Sequence, residues 1–160
     1  CEDPNGGCVF WSAGAKPPEL LMSGEVVMAT GWNGRFFNAI MDGAPLTQVW
    51  DGQGLDYQYM VVVKGGPNEA DAMKAIREMM STEGLAGSAK HIAYAPFRKS
   101  SLKIIADNEP WYKDGKTNML PQMPTADGNT KKYFLVDSVY WADNGTELGE
   151  MWTAMTAGLK

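Results

Sequence analysis

Apolar residues are distributed along this chain in two ways, as short unbroken runs and as stripes at helical spacing. Val9-Phe10-Trp11 is a short run that predicts a buried strand. Residues 16–24 open with Pro17 and Pro18, carry an early acid at Glu19 and end on Gly24, which predicts a short helix. Adjacent β-branched residues at 25–30 (EVVMAT) predict a strand. After the Gly31-Trp32-Asn33-Gly34-Arg35 break, Phe36, Phe37, Ile40 and Met41 recur at helical spacing up to Gly43, with Asn33 placed to cap that helix. Residues 46–50 read as a further strand and 57–64 (YQYMVVVK) as the strongest strand of all. Gly65-Gly66-Pro67-Asn68 stops it and starts a helix over 69–81. There Ala72, Met73, Ile76, Met79 and Met80 form one stripe, read as core filler because methionine packs irregular gaps.

Further helices are predicted over 83–90 and 100–106, with 91–96 extended between them. Residues 107–130 read as a polar, Pro- and Gly-rich connection with Trp111, Tyr112 and Met119-Leu120-Pro121 as anchors, and 134–141 leads into a last helix over 145–157. Strands alternating with helices indicate an α/β layered domain.

Composition narrows this little. With 44% apolar and 21% charged residues the chain is globular in type, which excludes disorder, collagen and coiled coil. No apolar run approaches the roughly 18 residues of a membrane span. The net charge of −5 argues against a nucleic-acid partner and mildly favours a cationic ligand.

Cys1 and Cys8 bracket the turn-forming stretch Glu-Asp-Pro-Asn-Gly-Gly. They are either bridged, which suits an oxidising compartment, or two free thiols beside a loop. A leading Cys1 is also compatible with a lipid-bearing residue.

Catalytic chemistry finds no support. GxSxG, Walker, HExxH and CxxC patterns are all missing, and the single histidine, His91, reads as a helix-end or surface residue. Asp137 and Asp143 flank an aromatic pair, but carboxylates so placed are ordinarily solvated or capping. No enzyme activity and no cofactor are expected. Conspicuous instead are rings beside polar groups at element ends: Trp32-Asn33-Gly34-Arg35, Asp56-Tyr57-Gln58-Tyr59, Tyr94, and Tyr140-Trp141-Ala142-Asp143. Such rings box small polar or cationic ligands, and they equally well line cores with a polar edge outward.

The run Glu19-Leu20-Leu21-Met22-Ser23-Gly24-Glu25-Val26-Val27-Met28-Ala29-Thr30-Gly31-Trp32-Asn33-Gly34-Arg35 resembles the extracellular solute-binding proteins of ABC importers, specifically the spermidine/putrescine-binding type. Gly43-Ala44-Pro45, Val49-Trp50, residues 59–68, Ile92-Ala93-Tyr94-Ala95-Pro96, Leu120-Pro121 and Trp141-Ala142-Asp143-Asn144 continue the likeness in order.

The resemblance implies a truncated type II periplasmic-binding-protein lobe, the closing half of a two-lobed protein. Residues 1–56 would begin the C-terminal lobe, 57–97 would cross to complete the N-terminal lobe, and 98–160 would return. On this reading Cys1 is a mid-chain position. The resemblance further implies a periplasmic location, ABC permease transmembrane subunits as partners, and dimerisation through the surface that truncation exposes.

Its ligand residues carry over as Trp32, packing on the aliphatic stem of a polyamine, and Tyr94, lining the cleft. Tyr57 and Gln58 fall on the crossing strand, where Gln58 replaces the amine-binding carboxylate and Asp56 lies two residues earlier. Arg35 stands where some putrescine binders have an aspartate. It would repel an ammonium but offers a fork to a carboxylate, so a zwitterion such as γ-aminobutyrate rivals the polyamine. A non-ligand interaction domain of the same fold is the remaining alternative.

Overall fold

The computed structural model describes residues 7–158. In chain order it contains α1 (Lys16–Met22), α2 (Asn33–Met41), β1 (Gln53–Leu55), α3 (Glu69–Met79), α4 (Thr82–Ser88), α5 (Lys99–Asp107), a 3-10 turn (Leu120–Gln122), β2 (Tyr133–Leu135) and α6 (Ser138–Ala157). β1 and β2 pair in parallel, with Gln53 opposite Tyr133, Gly54 opposite Phe134 and Leu55 opposite Leu135. No helix among the described residues is long and apolar enough to cross a membrane.

The core gathers where α2, α4 and α5 meet the segment after α5. Phe37, Ala86, Ala89, Ala93, Ile105, Tyr112, Met119, Met123 and Ala126 form one buried cluster, with Phe37 edge-on to Tyr112 at 5.3 Å. The expectation of a polar connection over 107–130 is corrected only in part: its expected anchors Tyr112 and Met119 are in the core, with Trp111 and Leu120 packed against it, and Met123 and Ala126 join them. Short polar residues between them serve the backbone rather than solvent. Glu109 accepts the backbone N–H groups of Trp111 (2.6 Å), Met119 (2.9 Å) and Leu120 (2.5 Å). The Asn129 amide donates to the carbonyls of Pro121 and Met123, both at 2.9 Å. A segment without regular secondary structure can be buried only if its backbone groups are satisfied in this way.

Four further expectations are corrected. The strands expected over 9–11, 25–30, 46–50 and 57–64 carry no ladder; β1 lies at 53–55 instead. Residues 57–63 have no regular secondary structure, and Tyr59, Val61 and Val63 are 72–80% exposed. A strand is completed by its neighbours, and among the described residues none pairs with this segment. The α3 stripe is not core: α3 has no buried residue, and Met73 and Met79 are about half exposed. Asn33 does not cap α2; Trp32 occupies the cap position, and the Asn33 amide donates to the Ala93 carbonyl. α6 starts seven residues before the expected 145, because the Asp137 carboxylate accepts from the N–H groups of Val139 and Tyr140. Tyr140, Trp141 and Asp143 thus belong to a helix rather than to a strand end.

Helices predicted at 83–90 and 100–106 form as α4 and α5, within one or two residues. Ser81 caps α4 by accepting from Gly84 N–H at 3.0 Å. The Ser101 hydroxyl, buried, ties α5 to α4 through the Thr82 carbonyl at 2.8 Å. His91 sits exposed in the turn after α4, as the sequence suggested.

Cys8 is disulfide-bonded. Cys1, its expected partner, lies outside the described residues.

Candidate functional site

α2 is held at two points. Phe37 buries its ring in the core (1% exposed), and Asn33 is bonded to the Ala93 carbonyl in the extended segment 92–96. That segment carries Tyr94, so the same hydrogen bond that fixes the start of α2 also fixes Tyr94 beside it. The Tyr94 ring lies against Gly34, where an added Cβ would stand 2.8 Å from both Cε1 and Cζ. A glycine inside a helix costs about 1 kcal/mol relative to alanine. Here it lets an aromatic ring rest directly on the helix backbone.

Trp32, at the cap position of α2, is seated on its other side by the turn before α1. Its ring meets Trp11 edge-on at 5.8 Å and lies over Gly14. Arg35 Nε stands 3.6 Å from the position a Cβ on Gly14 would take, so Trp32 and Arg35 share this neighbour. Trp32 remains 56% and Tyr94 42% exposed. Two rings and a guanidinium are thereby presented to solvent within one turn of helix.

Arg35 has no acidic residue beside it in the first turn of α2, and it takes part in no ion pair among the described residues. The four ion pairs that do form there join exposed lysines to exposed carboxylates. Such pairs contribute little to stability.

The other expected site residues are placed differently. Asp56 follows β1 directly, and Gln58 Nε2 donates to Asp56 Oδ2 at 3.3 Å, as an extended chain allows for residues two apart. Tyr57 is 53% exposed. No hydrogen bond among the described residues joins this group to Trp32, Arg35 or Tyr94.

Trp11 and Gly14 belong to the site's surroundings but are not among the site residues expected from the sequence. Trp11 carries the same signal as the rest, a ring beside a polar residue (Ser12) at the end of an apolar run, and was read there as a strand residue. Gly14 offers no sequence signal. Two concavities, of about 580 and 480 Å³, lie along α6 and between α5 and residues 120–129, and none of the expected site residues lines either. Among the described residues no group of three His, Cys, Asp or Glu is placed to hold a metal ion.

Comparison with known proteins bears on this arrangement. The sequence profile of a family described as bacterial extracellular solute-binding protein matches residues 3–131. A γ-aminobutyric acid-binding protein of Pseudomonas aeruginosa is 35% identical over 148 residues, covering 92% of this chain and 39% of that protein. Among solved structures, the binding protein MotA of A. tumefaciens B6 in complex with glucopine superposes with a TM-score of 0.69 at 27% identity, over 88% of this chain and 41% of that one. A GABA receptor structure superposes with a TM-score of 0.67 at 27% identity, over 91% of this chain and 42% of that one. The chain spans about two fifths of the length of the relatives it matches.

Proposed function

The chain belongs to the bacterial extracellular solute-binding protein family, and from that membership we propose that it forms one wall of the ligand cleft in the substrate-binding component of an ABC importer. The family and these relatives are solute binders, not enzymes. The ligand is a small zwitterion carrying an amine and a carboxylate, of the γ-aminobutyrate kind. The observation that carries this reading is the grouping at the start of α2 of Trp32, Tyr94 and an Arg35 that forms no ion pair among the described residues. The two rings offer faces to an aliphatic or cationic stem. The guanidinium offers a bidentate fork to a carboxylate.

Two further points support it. A cation in the first turn opposes the helix dipole, and among the described residues no carboxylate pairs with Arg35 to offset that cost, so a ligand carboxylate is the natural counter-charge. The relatives include proteins whose names specify γ-aminobutyrate. Asp56, Tyr57 and Gln58 supply the amine-facing contacts, and closure of this lobe against a second traps the ligand. In the whole protein the location is periplasmic, and the permease subunits receive the closed form.

Polyamine capture is the second reading, carried by the sequence likeness alone. A ligand ammonium about 5 Å from Arg35 would be repelled by about 3 kcal/mol at an effective dielectric of about 20. Calorimetry on the full-length protein with γ-aminobutyrate, putrescine and spermidine separates the two. We expect γ-aminobutyrate to bind and Arg35→Ala to weaken it by about 10- to 100-fold, the loss of a charge-assisted hydrogen bond. Binding of putrescine or spermidine, indifferent to Arg35→Ala and without binding of γ-aminobutyrate, would replace the zwitterion with the polyamine.

A further inference from the structure

Gly14 does not need to be glycine for the sake of its own backbone. The glycines with positive φ are Gly24, Gly43, Gly52, Gly65 and Gly115, and Gly14 is not among them. An L residue could therefore adopt its conformation without strain. What excludes one is the ring above it. A Cβ on Gly14 would overlap Trp32 Cζ3, stand 2.6 Å from Trp32 Cε3 and lie 3.6 Å from Arg35 Nε. These are ring atoms of a rigid indole, which also meets Trp11 edge-on at 5.8 Å. With Trp11 against it and more than half of its surface exposed, the indole yields by moving outward, away from position 14.

We propose that Gly14 is a positioning residue for the ligand site: its missing side chain is the seat on which the Trp32 indole lies, and it sets where Trp32 and Arg35 stand relative to each other. The inference rests on the reading of Trp32 and Arg35 as ligand contacts. It adds that a residue touching no ligand tunes affinity through the ring it supports. The arrangement parallels that of Tyr94 on Gly34, so each of the two exposed rings lies directly on a main chain that lacks a Cβ beneath it. A methyl group at position 14 would lift the indole outward and carry it away from the guanidinium, while leaving the core around Phe37 and Ile105 untouched.

The test uses the full-length protein and γ-aminobutyrate as probe, with Gly14→Ala, Trp32→Phe, the double variant and Trp32→Ala. Affinity is read by calorimetry, and the Trp32 indole N–H signal is read by NMR without ligand. We expect Gly14→Ala to weaken binding about tenfold and to shift the Trp32 indole signal, with an unchanged melting temperature. Trp32→Phe leaves room for the methyl group, so the double variant should bind as Trp32→Phe alone does. That comparison also serves if Gly14→Ala by itself folds poorly, since relief by the smaller ring then restores folding. An unmoved indole signal and affinity within twofold in Gly14→Ala, while Trp32→Ala abolishes binding, would overturn the inference and leave the ligand site standing. Unchanged affinity in Trp32→Ala would overturn the site itself and the inference with it.

Discussion

An arginine in the first turn of a helix and a tryptophan half in water are both placements that folding alone disfavours. Arg35 works against the dipole of α2 by a few tenths of a kcal/mol to about 1 kcal/mol, and it has no carboxylate partner among the described residues. Trp32 leaves 56% of its surface exposed although a buried cluster lies one turn away at Phe37. Local costs of this sort gather where a protein handles a ligand. Contrast Asp114, whose setting is purely structural. The Thr117 hydroxyl, then the Thr117 and Lys116 backbone N–H groups, hold its carboxyl below the usual 3.8. A folded-state pKa below the unfolded one contributes stability above pH ~3.8 that disappears as pH falls through the folded value. Following the Asp114 carboxyl carbon by NMR should show a midpoint below 3.8, and Thr117→Val should raise it. A midpoint indifferent to that substitution would remove the hydroxyl as the cause.

At the scale of elements, α2 through α5 formed close to where periodicity put them, and the strands did not. The stripe of Phe36, Phe37, Ile40 and Met41 marks α2 because a helix closes its hydrogen bonds within itself. A strand closes none of its own, so an apolar run such as 57–64 becomes sheet only when a neighbour is present. β1 and β2 are three residues each for the same reason: they extend as far as they have each other. The connection after α5 is the opposite case, an irregular segment made rigid by side-chain acceptors. Glu109 is central to it. In Glu109→Gln one oxygen becomes a donor facing backbone N–H groups of Trp111, Met119 or Leu120. We expect a loss of about 1–3 kcal/mol, the cost of leaving such groups unpaired, measured by urea unfolding. Stability unchanged within a few tenths of a kcal/mol would show that water replaces the carboxylate without penalty.

For the whole molecule, area is the telling quantity. The accessible surface is 11,627 Å², whereas a compact monomer of 17.5 kDa has about 7,900 Å². Val27, Met28, Val49, Val61 and Val63 are each more than three quarters exposed, and α6 leaves Tyr140, Trp141, Met151 and Trp152 about half so. The 160-residue chain on its own should therefore self-associate or bind a hydrophobic dye, and multi-angle light scattering with dye fluorescence checks this. A clean monomer without dye binding would mean that these faces need no cover. We propose that in the whole protein they are covered by the remainder of the chain, in keeping with a match to about two fifths of its relatives' length. By itself the sequence determined the α/β class, the places of α2 through α5, and the ring-and-arginine signature at Trp32 and Arg35, because all of these depend on residues within a turn or two of one another. Only the tertiary structure decided that β1 meets β2, that residues 109–126 build the core, and that Gly14 and Gly34 lie beneath Trp32 and Tyr94. Those outcomes depend on segments far apart in the chain approaching closely, from Gly14 and Trp32 to Phe37 and Ala126, and no local pattern encodes such an approach.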